Sequence, residues 1–140
     1  NPLPFPDTTE IPGRPCYCGR HGCMETWVSG RAFEAEYARH TSEELKAWQV
    51  VEKMRAGDRL ARMLWERYVD RVARGLATVV NTLDPDILVM GGGMSNVEEL
   101  YDDLPPALAR RTFSTVFHTP IRRALHGDSS GVRGAARLWT

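Results

Sequence analysis

Three cysteines stand close together near the start of the chain and could hold a metal ion. Cys16, Cys18 and Cys23 are the only cysteines among 140 residues, and they follow the spacing C-x-C-x4-C. Gly19 and Gly22 lie between them, and their conformational freedom would let the backbone fold around a central ion. Zn²⁺ fits this set best, because it binds thiolate and imidazole ligands in a tetrahedral geometry. The alternative is a group of structural or redox-active thiols that binds no metal.

A closed zinc site needs a fourth ligand, and this loop offers one nearby candidate. His21 lies inside the loop, between Cys18 and Cys23. Because a ligand at that position would crowd so short a loop, we expect His21 to be a solvated loop residue. The fourth ligand should therefore come from another segment. Glu25 follows two positions after Cys23, and residue chemistry alone favours a solvated carboxylate at the start of a helix.

A run of three glycines, Gly91, Gly92 and Gly93, follows the short apolar segment 86–90. That segment predicts a strand without alternation, as in a parallel sheet that is covered on both faces. Any tight turn from strand to helix favours glycine, and this is the simpler interpretation. Ligands also bind at the carboxyl ends of such strands, where bare backbone lets a nucleotide approach closely. The pattern G-x-x-x-x-G-K-[ST] does not occur, so the turn is not a P-loop.

The spacing of apolar residues predicts the helices that position these groups. Asp58 should cap the longest one, which carries apolar side chains at spacings of three and four to about residue 83. A helix that is apolar over more than half of its circumference is expected to be deeply buried or to lie at a subunit interface. Asp84-Pro85 ends this helix, and Ser95 or Asn96 should cap the next one.

The remaining pattern is that of an α/β protein, in which helices alternate with strands. Ser42 should be the N-cap of a second helical segment, and Pro105-Pro106 should open or kink a further helical piece. The other predicted elements are a proline-rich loop over 1–15, helical segments over 24–40 and 42–55, a strand over 119–125 and a helix over 131–138.

The composition excludes several classes of function. Lys and Arg number 18, as do Asp and Glu, so the formal net charge is zero, whereas a dedicated nucleic-acid binder would usually be basic. Apolar runs stay far below the roughly 18–20 residues that span a bilayer. We therefore expect neither a nucleic-acid nor a membrane partner. The first residue is Asn1 rather than Met, so we expect this chain to be part of a longer protein.

Three motifs together resemble the ROK family of sugar kinases and repressors. The cysteine loop reads CYCGRHGCMET, which is similar to the zinc signature C-x-C-G-x-x-G-C-[LIM]-E of that family. The resemblance continues in the same order through LDPDILVMGGGMSN, residues 83–96, and HGDSSGVRGAA, residues 126–136. It covers the whole chain. Residues 1–4 resemble the segment that directly follows a zinc-binding His in bacterial fructokinases and mannokinases of this family.

The resemblance implies an α/β fold that forms part of the C-terminal domain of an actin-like, ribonuclease H-like ATPase. It implies a structural zinc bound by Cys16, Cys18, Cys23 and a His just before Asn1. The N-terminal half of the protein would be absent. The implied parts of the chain are a zinc and sugar loop over 1–25, a long helix over 58–83 and an adenosine-side α/β segment over 84–140.

The resemblance also implies the roles of individual residues. Glu25, supported by the zinc loop, would accept hydrogen bonds from sugar hydroxyls, and the glycine turn with Ser95 and Asn96 would contact the adenosine part of ATP. The parent protein would be a cytoplasmic homodimer that phosphorylates a hexose, most readily fructose, at the 6-hydroxyl with ATP and Mg²⁺. The catalytic Asp and both phosphate loops would lie in the absent half, so we assign no catalytic residue and expect this chain alone to be inactive. Two alternatives are the sugar-sensing domain of a ROK transcriptional repressor and a zinc-stabilised interaction domain without a small ligand.

Overall fold

A 25-residue helix organises the chain, whose computed structural model describes residues 1–114 and 117–139. The helices are α1 (Glu25–Val28), α2 (Gly30–Thr41), α3 (Ala47–Arg55), α4 (Arg59–Leu83), α5 (Glu99–Ala109) and α6 (Ser130–Ala136). The strands are β1 (Leu88–Met90) and β2 (Ile121–Arg123), and short 3-10 turns span Thr8–Glu10, Gly93–Asn96, Gly127–Ser129 and Arg137–Trp139. This order confirms the predicted α/β pattern. Over the described residues, each helix is too short or too polar to span a bilayer.

Helix α4 forms the main wall of the core. Asp58 caps it as predicted, because its carboxylate accepts the Ala61 N–H at 2.9 Å. The helix ends where Asp84 adopts a left-handed conformation with φ of 43°. Its apolar stripe packs against α2, α3 and α5, and the rings of Trp65 and Tyr68 stack with centroids 5.5 Å apart. Eleven of its 25 residues are buried within this chain, whereas Val79 and Leu83 near its C-terminal end are exposed.

The structure corrects the start of helix α3. Ser42 is not an N-cap: it ends α2 in a left-handed conformation with φ of 62°, and its N–H donates to the Ala38 carbonyl. Helix α3 begins at Ala47, whose N–H donates to the Glu34 carboxylate of α2 at 3.0 Å. The Ala47 N–H is thus satisfied from 13 positions earlier, whereas the Lys46 N–H donates locally to the Gln49 side chain.

The sheet is parallel, but one of its faces is open. Strand β1 pairs with β2 so that Leu88 lies opposite Ile121, and helix α5 forms part of the crossover between them. Leu88 and Ile121 are buried on the side of the helices, whereas Val89 is 60% exposed. The prediction that this strand is covered on both faces is therefore wrong for the described residues, because no layer covers the second face there.

Two other segments differ from prediction in detail. Pro105 and Pro106 lie inside α5 instead of opening a new helix. Leu104 and Leu108 are fully buried on either side of them, and this packing keeps the helix continuous although proline lacks an N–H donor. Near the C-terminus, the helix predicted over 131–138 is divided into α6 and the following 3-10 turn.

Candidate functional site

The cysteine loop brings its three thiols together. The sulfur atoms of Cys16, Cys18 and Cys23 all lie within 4.8 Å of one another. Cys18 Sγ is 3.5 Å from Cys23 Sγ. Tetrahedral zinc, with Zn–S bonds of about 2.3 Å, requires sulfur atoms about 3.8 Å apart. The three side chains therefore form a donor set that fits Zn²⁺ with little movement.

Glycine conformations shape this loop. Gly19 and Gly22 have φ angles of 82° and 68°, which residues with side chains rarely adopt. The Cys16 N–H donates to the Arg20 carbonyl at 2.8 Å and closes the turn between them. Hydrogen bonding by the Arg20 backbone lowers the pKa of the Cys18 thiol. This shift favours the Cys18 thiolate, which is the form that binds a metal, whereas the hydrogen bond with Cys18 raises the pKa of the Cys23 thiol.

His21 lies apart from the thiols, as expected. It is exposed and forms an isolated antiparallel bridge with Pro15. Over residues 1–114 and 117–139, the group of side chains close enough to share a metal ion consists of the three cysteines, without a histidine or a carboxylate. The described residues thus supply three of the four ligands that a closed zinc site needs.

The first residues of the chain run antiparallel to the end of the cysteine loop. Pro2 forms a bridge with Cys23, and the Met24 N–H donates to the Asn1 carbonyl at 2.9 Å. Side chains along an extended strand alternate between its two faces. A residue preceding Asn1 in extended conformation would therefore share a face with Pro2 and Cys23, beside the thiols.

Glu25 is the first residue of helix α1, and its side chain is exposed. This helix has four residues, too few to be stable without support. Thr26 Oγ1 donates to the Cys23 carbonyl at 2.6 Å, which ties the helix start to the cysteine loop. At the other end, the Tyr68 hydroxyl of α4 donates to the Val28 carbonyl at 3.0 Å. Glu25 is thus presented to solvent by a short helix that is held at both ends.

A cavity of about 690 Å³ opens between α4, the start of α2 and the end of β1. Gly91, Gly92 and Gly93 form part of its wall, together with Met24 from the start of α1. Glu25 does not line this cavity. The structure therefore brings the glycine turn close to the segment that carries Glu25, while the Glu25 side chain lies outside the cavity.

Two of the three glycines are not required by the backbone conformation. Gly92 has a φ angle of 81°, but Gly91 and Gly93 have φ angles outside the left-handed region. A Cβ added at either of these two positions would meet no atom of the described residues within 4 Å. Glycine at Gly91 and Gly93 therefore serves no steric need of this chain. Its bare backbone leaves room for another molecule to approach.

Ser95 and Asn96 do not cap the following helix, so that prediction is wrong. They end the 3-10 turn Gly93–Asn96, and α5 begins three residues later without a side-chain cap. Ser95 is 1% exposed, and its hydroxyl donates to the Gly92 carbonyl at 2.7 Å. The Asn96 side-chain oxygen accepts a hydrogen bond from Arg123, beside a separate cavity of about 600 Å³. Ser95 therefore supports the glycine turn from inside, and Asn96 joins it to β2.

A buried ion cluster, formed by Glu10, Arg14, Glu36, Arg71 and Arg74, supports the cysteine loop from the side of α4. Arg71 Nε and Arg74 Nη2 lie 2.7 and 2.8 Å from Glu10 Oε1. Arg71 also donates through both Nη atoms to Glu36 of α2, one of them at 3.2 Å. Arg14 forms an ion pair with the same carboxylate at 3.0 Å. The cluster therefore fixes the segment that precedes the cysteines against two helices.

Trp27 of α1 packs on two members of this cluster. The guanidinium carbon atoms of Arg14 and Arg71 lie 4.0 and 4.6 Å from the ring centroid, within range of a cation–π interaction. The sequence did not predict the cluster, because its partners on α4 lie 35 to 64 positions from their carboxylates. One feature of the sequence could have indicated a buried ion pair: Arg71 comes three positions after Tyr68 and so falls on the buried side of α4.

The cluster changes the titration of its carboxylates. Burial alone would raise the pKa of Glu10, but hydrogen bonds from Arg74 and Arg71 outweigh it and lower this pKa to about 2. Burial likewise opposes ionisation of Glu36, and Arg71 and Arg14 lower its pKa. Both carboxylates are therefore charged at neutral pH and paired with arginines.

Known proteins match this chain in sequence and in fold. The family model for the ROK family matches residues 7–140. The N-acetyl-D-glucosamine kinase of Pectobacterium carotovorum subsp. carotovorum (strain PC1) is 40% identical over 129 residues, which are 92% of this chain and 42% of that protein. The chain therefore spans less than half the length of the curated relatives that it matches.

Solved structures agree with this match. The ROK hexokinase from Thermus thermophilus has a TM-score of 0.78 and 29% identity, over 98% of this chain and 45% of that one. A ROK family glucokinase from Streptomyces griseus, in complex with glucose and AMPPNP, has a TM-score of 0.78 and 26% identity, over 97% and 49%. The chain is an α/β portion of the actin-like ATPase fold of ROK sugar kinases, and it belongs to the ROK family.

Proposed function

We propose that the protein containing this chain transfers a phosphoryl group from ATP to the 6-hydroxyl of a hexose. The observation that carries this proposal is the open glycine turn: Gly91 and Gly93 leave bare backbone at the carboxyl end of β1, beside a cavity of about 690 Å³. Strand ends of this kind bind ligands in α/β proteins. The related glucokinase from Streptomyces griseus, which holds glucose and AMPPNP, supports a sugar and a nucleotide as the ligands.

This chain would supply two contacts of the complete site. The glycine turn would contact the adenosine part of ATP, with Ser95 supporting it from inside and Asn96 holding it against β2. Glu25 would accept hydrogen bonds from sugar hydroxyls. The general base, the groups that bind Mg²⁺ and the phosphate loops would belong to the rest of the protein. Because phosphoryl transfer needs these groups positioned together, we propose that the chain alone is inactive.

A structural zinc is the second part of the proposal. Cys16, Cys18 and Cys23 would bind it, and the residue before Asn1, expected to be a His, would be the fourth ligand. The proximity of the three sulfur atoms and the antiparallel course of residues 1–3 along Cys23 support this set. Zinc, when bound, would cross-link the loop. The start of α1, and with it the direction of Glu25, would then be fixed by the loop.

For the hexose we propose N-acetyl-D-glucosamine. The relative from Pectobacterium carotovorum, 40% identical over 92% of this chain, is named an N-acetyl-D-glucosamine kinase. Fructose, which the resemblance of residues 1–4 implies, is not supported by that name and stays a prediction. Most contacts that distinguish one hexose from another would come from parts of the protein beyond this chain.

The assembled protein is the third part of the proposal. Val89 and Leu83 are 60% and 71% exposed, and apolar side chains at such positions indicate an uncovered surface. We propose that the remaining part of the same protein covers the open face of the sheet at Val89. A homodimer, and a cytoplasmic location where ATP is available, complete the proposal.

A coupled assay of ADP release on the full-length protein tests this function. N-acetyl-D-glucosamine, glucose, mannose and fructose would be supplied one at a time, with the isolated 140-residue chain as the inactive control. We expect sugar-dependent release of ADP with the highest kcat/KM for N-acetyl-D-glucosamine. A higher kcat/KM for fructose would favour a fructokinase instead. No release with any of the four hexoses would refute the proposed kinase activity towards them.

A further inference from the structure

Helix α1 carries Glu25 but cannot fix its own orientation. It consists of four residues, and a helix this short gains too few internal hydrogen bonds to be stable in water. The cysteine loop leads directly into Glu25, so it restrains the beginning of the helix. The direction of the Glu25 side chain therefore also depends on what holds the rest of α1.

Arg14 contacts three segments around Glu25, namely α1 itself, α2 and the cysteine loop. Its Nη1 donates to the Thr26 carbonyl of α1 at 2.8 Å, and its guanidinium lies 4.0 Å from the centroid of the Trp27 ring. Its Nη2 forms an ion pair with Glu36 of α2 at 3.0 Å. Its backbone carbonyl accepts the Gly22 N–H of the cysteine loop at 2.8 Å. One residue thus joins α1, α2 and the loop.

The surroundings make this connection stiff. Glu36 is held at the same time by Arg71 of α4, whose guanidinium also packs on the Trp27 ring at 4.6 Å. The Trp27 side chain is 5% exposed. A guanidinium suits this place, because its planar fork bonds a carbonyl and a carboxylate while its face stacks on an aromatic ring. The compact ammonium of lysine cannot make all three contacts.

We infer that Arg14 is a positioning residue for the sugar contact at Glu25. By fixing α1 against α2 and the cysteine loop, it sets the direction in which the Glu25 carboxylate points. The inference rests on the proposed role of Glu25 in binding sugar. Tyr68 holds the Val28 carbonyl from α4 at 3.0 Å, so loss of Arg14 should loosen α1 without releasing it.

The test compares Arg14→Lys with Arg74→Lys in the full-length protein. Arg74 belongs to the same buried ion cluster and binds Glu10 and the Phe5 carbonyl, but among the described residues no atom of α1 accepts a hydrogen bond from it. R14K should raise the KM for sugar roughly tenfold, with the KM for ATP unchanged, because a small displacement of a binding group weakens its contact strongly. Hydrogen exchange of the amides of residues 25–28 should also be faster in R14K. R74K should leave the sugar KM and the exchange rate of these amides at their wild-type values.

A double-mutant cycle with Glu25→Gln separates the outcomes. If Arg14 acts through Glu25, R14K should change the sugar KM of E25Q very little, because the contact that Arg14 positions is already lost. An unchanged sugar KM in R14K, an equal rise in R74K, unchanged exchange at 25–28, or the same effect of R14K in both backgrounds would overturn the inference. An unchanged sugar KM in E25Q would instead refute the proposed role of Glu25, and this inference with it.

Discussion

Gly13 and Gly22 pack backbone against backbone: a Cβ added at Gly13 would lie 2.4 Å from the Cα atom of Gly22. The hydrogen bond from the Gly22 N–H to the Arg14 carbonyl, at 2.8 Å, fixes this approach. Gly13 also has a φ angle of 89°. The proline-rich segment and the cysteine loop are therefore joined at a point where any side chain would push them apart.

Replacing Gly13 by alanine should destabilise the protein and weaken its retention of zinc. The clash is with backbone atoms, so it cannot be relieved by turning a side chain, and positive φ adds strain. We expect a loss of about 3 kcal/mol in the free energy of unfolding, measured by denaturant titration. Gly57→Ala is the matched control, since Gly57 has a φ of 90° but no described atom within 4 Å of an added Cβ. It should lose about 1 kcal/mol and keep its zinc, and equal losses in both variants would show that the close approach is unimportant.

Full-length protein purified without chelator should contain zinc, about one ion per chain by elemental analysis, if the three thiols and one further ligand form a closed site. Cys23→Ser should reduce the zinc content to background, because it removes a thiolate from the donor set. His21→Ala should retain the metal, since His21 lies outside the group of thiols. Zinc-free protein with three freely reactive thiols would contradict this prediction.

Acid should weaken the fold through Glu10. Its pKa is about 2 in the folded chain, against 4.5 for an unperturbed glutamate, so the unfolded chain takes up a proton first as the pH falls. The stability that ionised Glu10 contributes is therefore present above about pH 4.5 and is lost progressively towards pH 2. Urea unfolding of the wild type and of Glu10→Gln, from pH 6 to 2.5, measures this contribution. The difference in unfolding free energy between the two proteins should shrink as the pH falls over that range. A constant difference would contradict the ion pairing. Release of zinc by acid affects both proteins alike, so it cancels in this difference.

Much of the fold follows from local sequence patterns. The apolar stripe of α4, its Asp58 cap and the strand before Gly91 are all set by residues close in sequence, and the structure confirms them. The cysteine spacing likewise predicts a loop that brings three sulfur atoms together. The cap and the cysteine loop can be predicted because the interactions that form them are local, whereas strand β1 is indicated by its apolar run although its backbone partner is β2.

The missed features depend on partners that are distant in sequence. The start of α3 at Ala47 rather than at Ser42 depends in part on Glu34 of another helix, which accepts the Ala47 N–H. The pairing of Arg71 with Glu10 spans 61 positions, and two charged residues at that distance carry no periodic signal. The exposure of Val89 depends on which layers cover the strand, and a short apolar run carries no information about that.

The glycine turn offers a test of nucleotide binding that is separate from folding. Gly91→Ala and Gly93→Ala should leave the stability of the full-length protein nearly unchanged, because an added Cβ meets no described atom within 4 Å and φ is not in the left-handed region. Both should raise the KM for ATP, by roughly tenfold, if the nucleotide lies against this backbone. Gly92→Ala should instead lower stability, since its φ is 81°. Steady-state kinetics with varied ATP and thermal unfolding measure the two effects, and an unchanged KM for ATP in the first two variants would place the nucleotide elsewhere.

The proposed sugar contact of Glu25 should be visible in the kinetics of Glu25→Gln. A hydrogen bond to a charged group contributes about 1.5–3 kcal/mol. We therefore predict that kcat/KM for the sugar falls roughly 10- to 150-fold and that the sugar KM rises. The KM for ATP should change little. Glu66→Gln on the surface of α4, where the side chain is 62% exposed, is the control and should have the kinetics of the wild type. Sugar kinetics in E25Q that match those of the wild type would refute this contact and show that Glu25 is a solvated carboxylate.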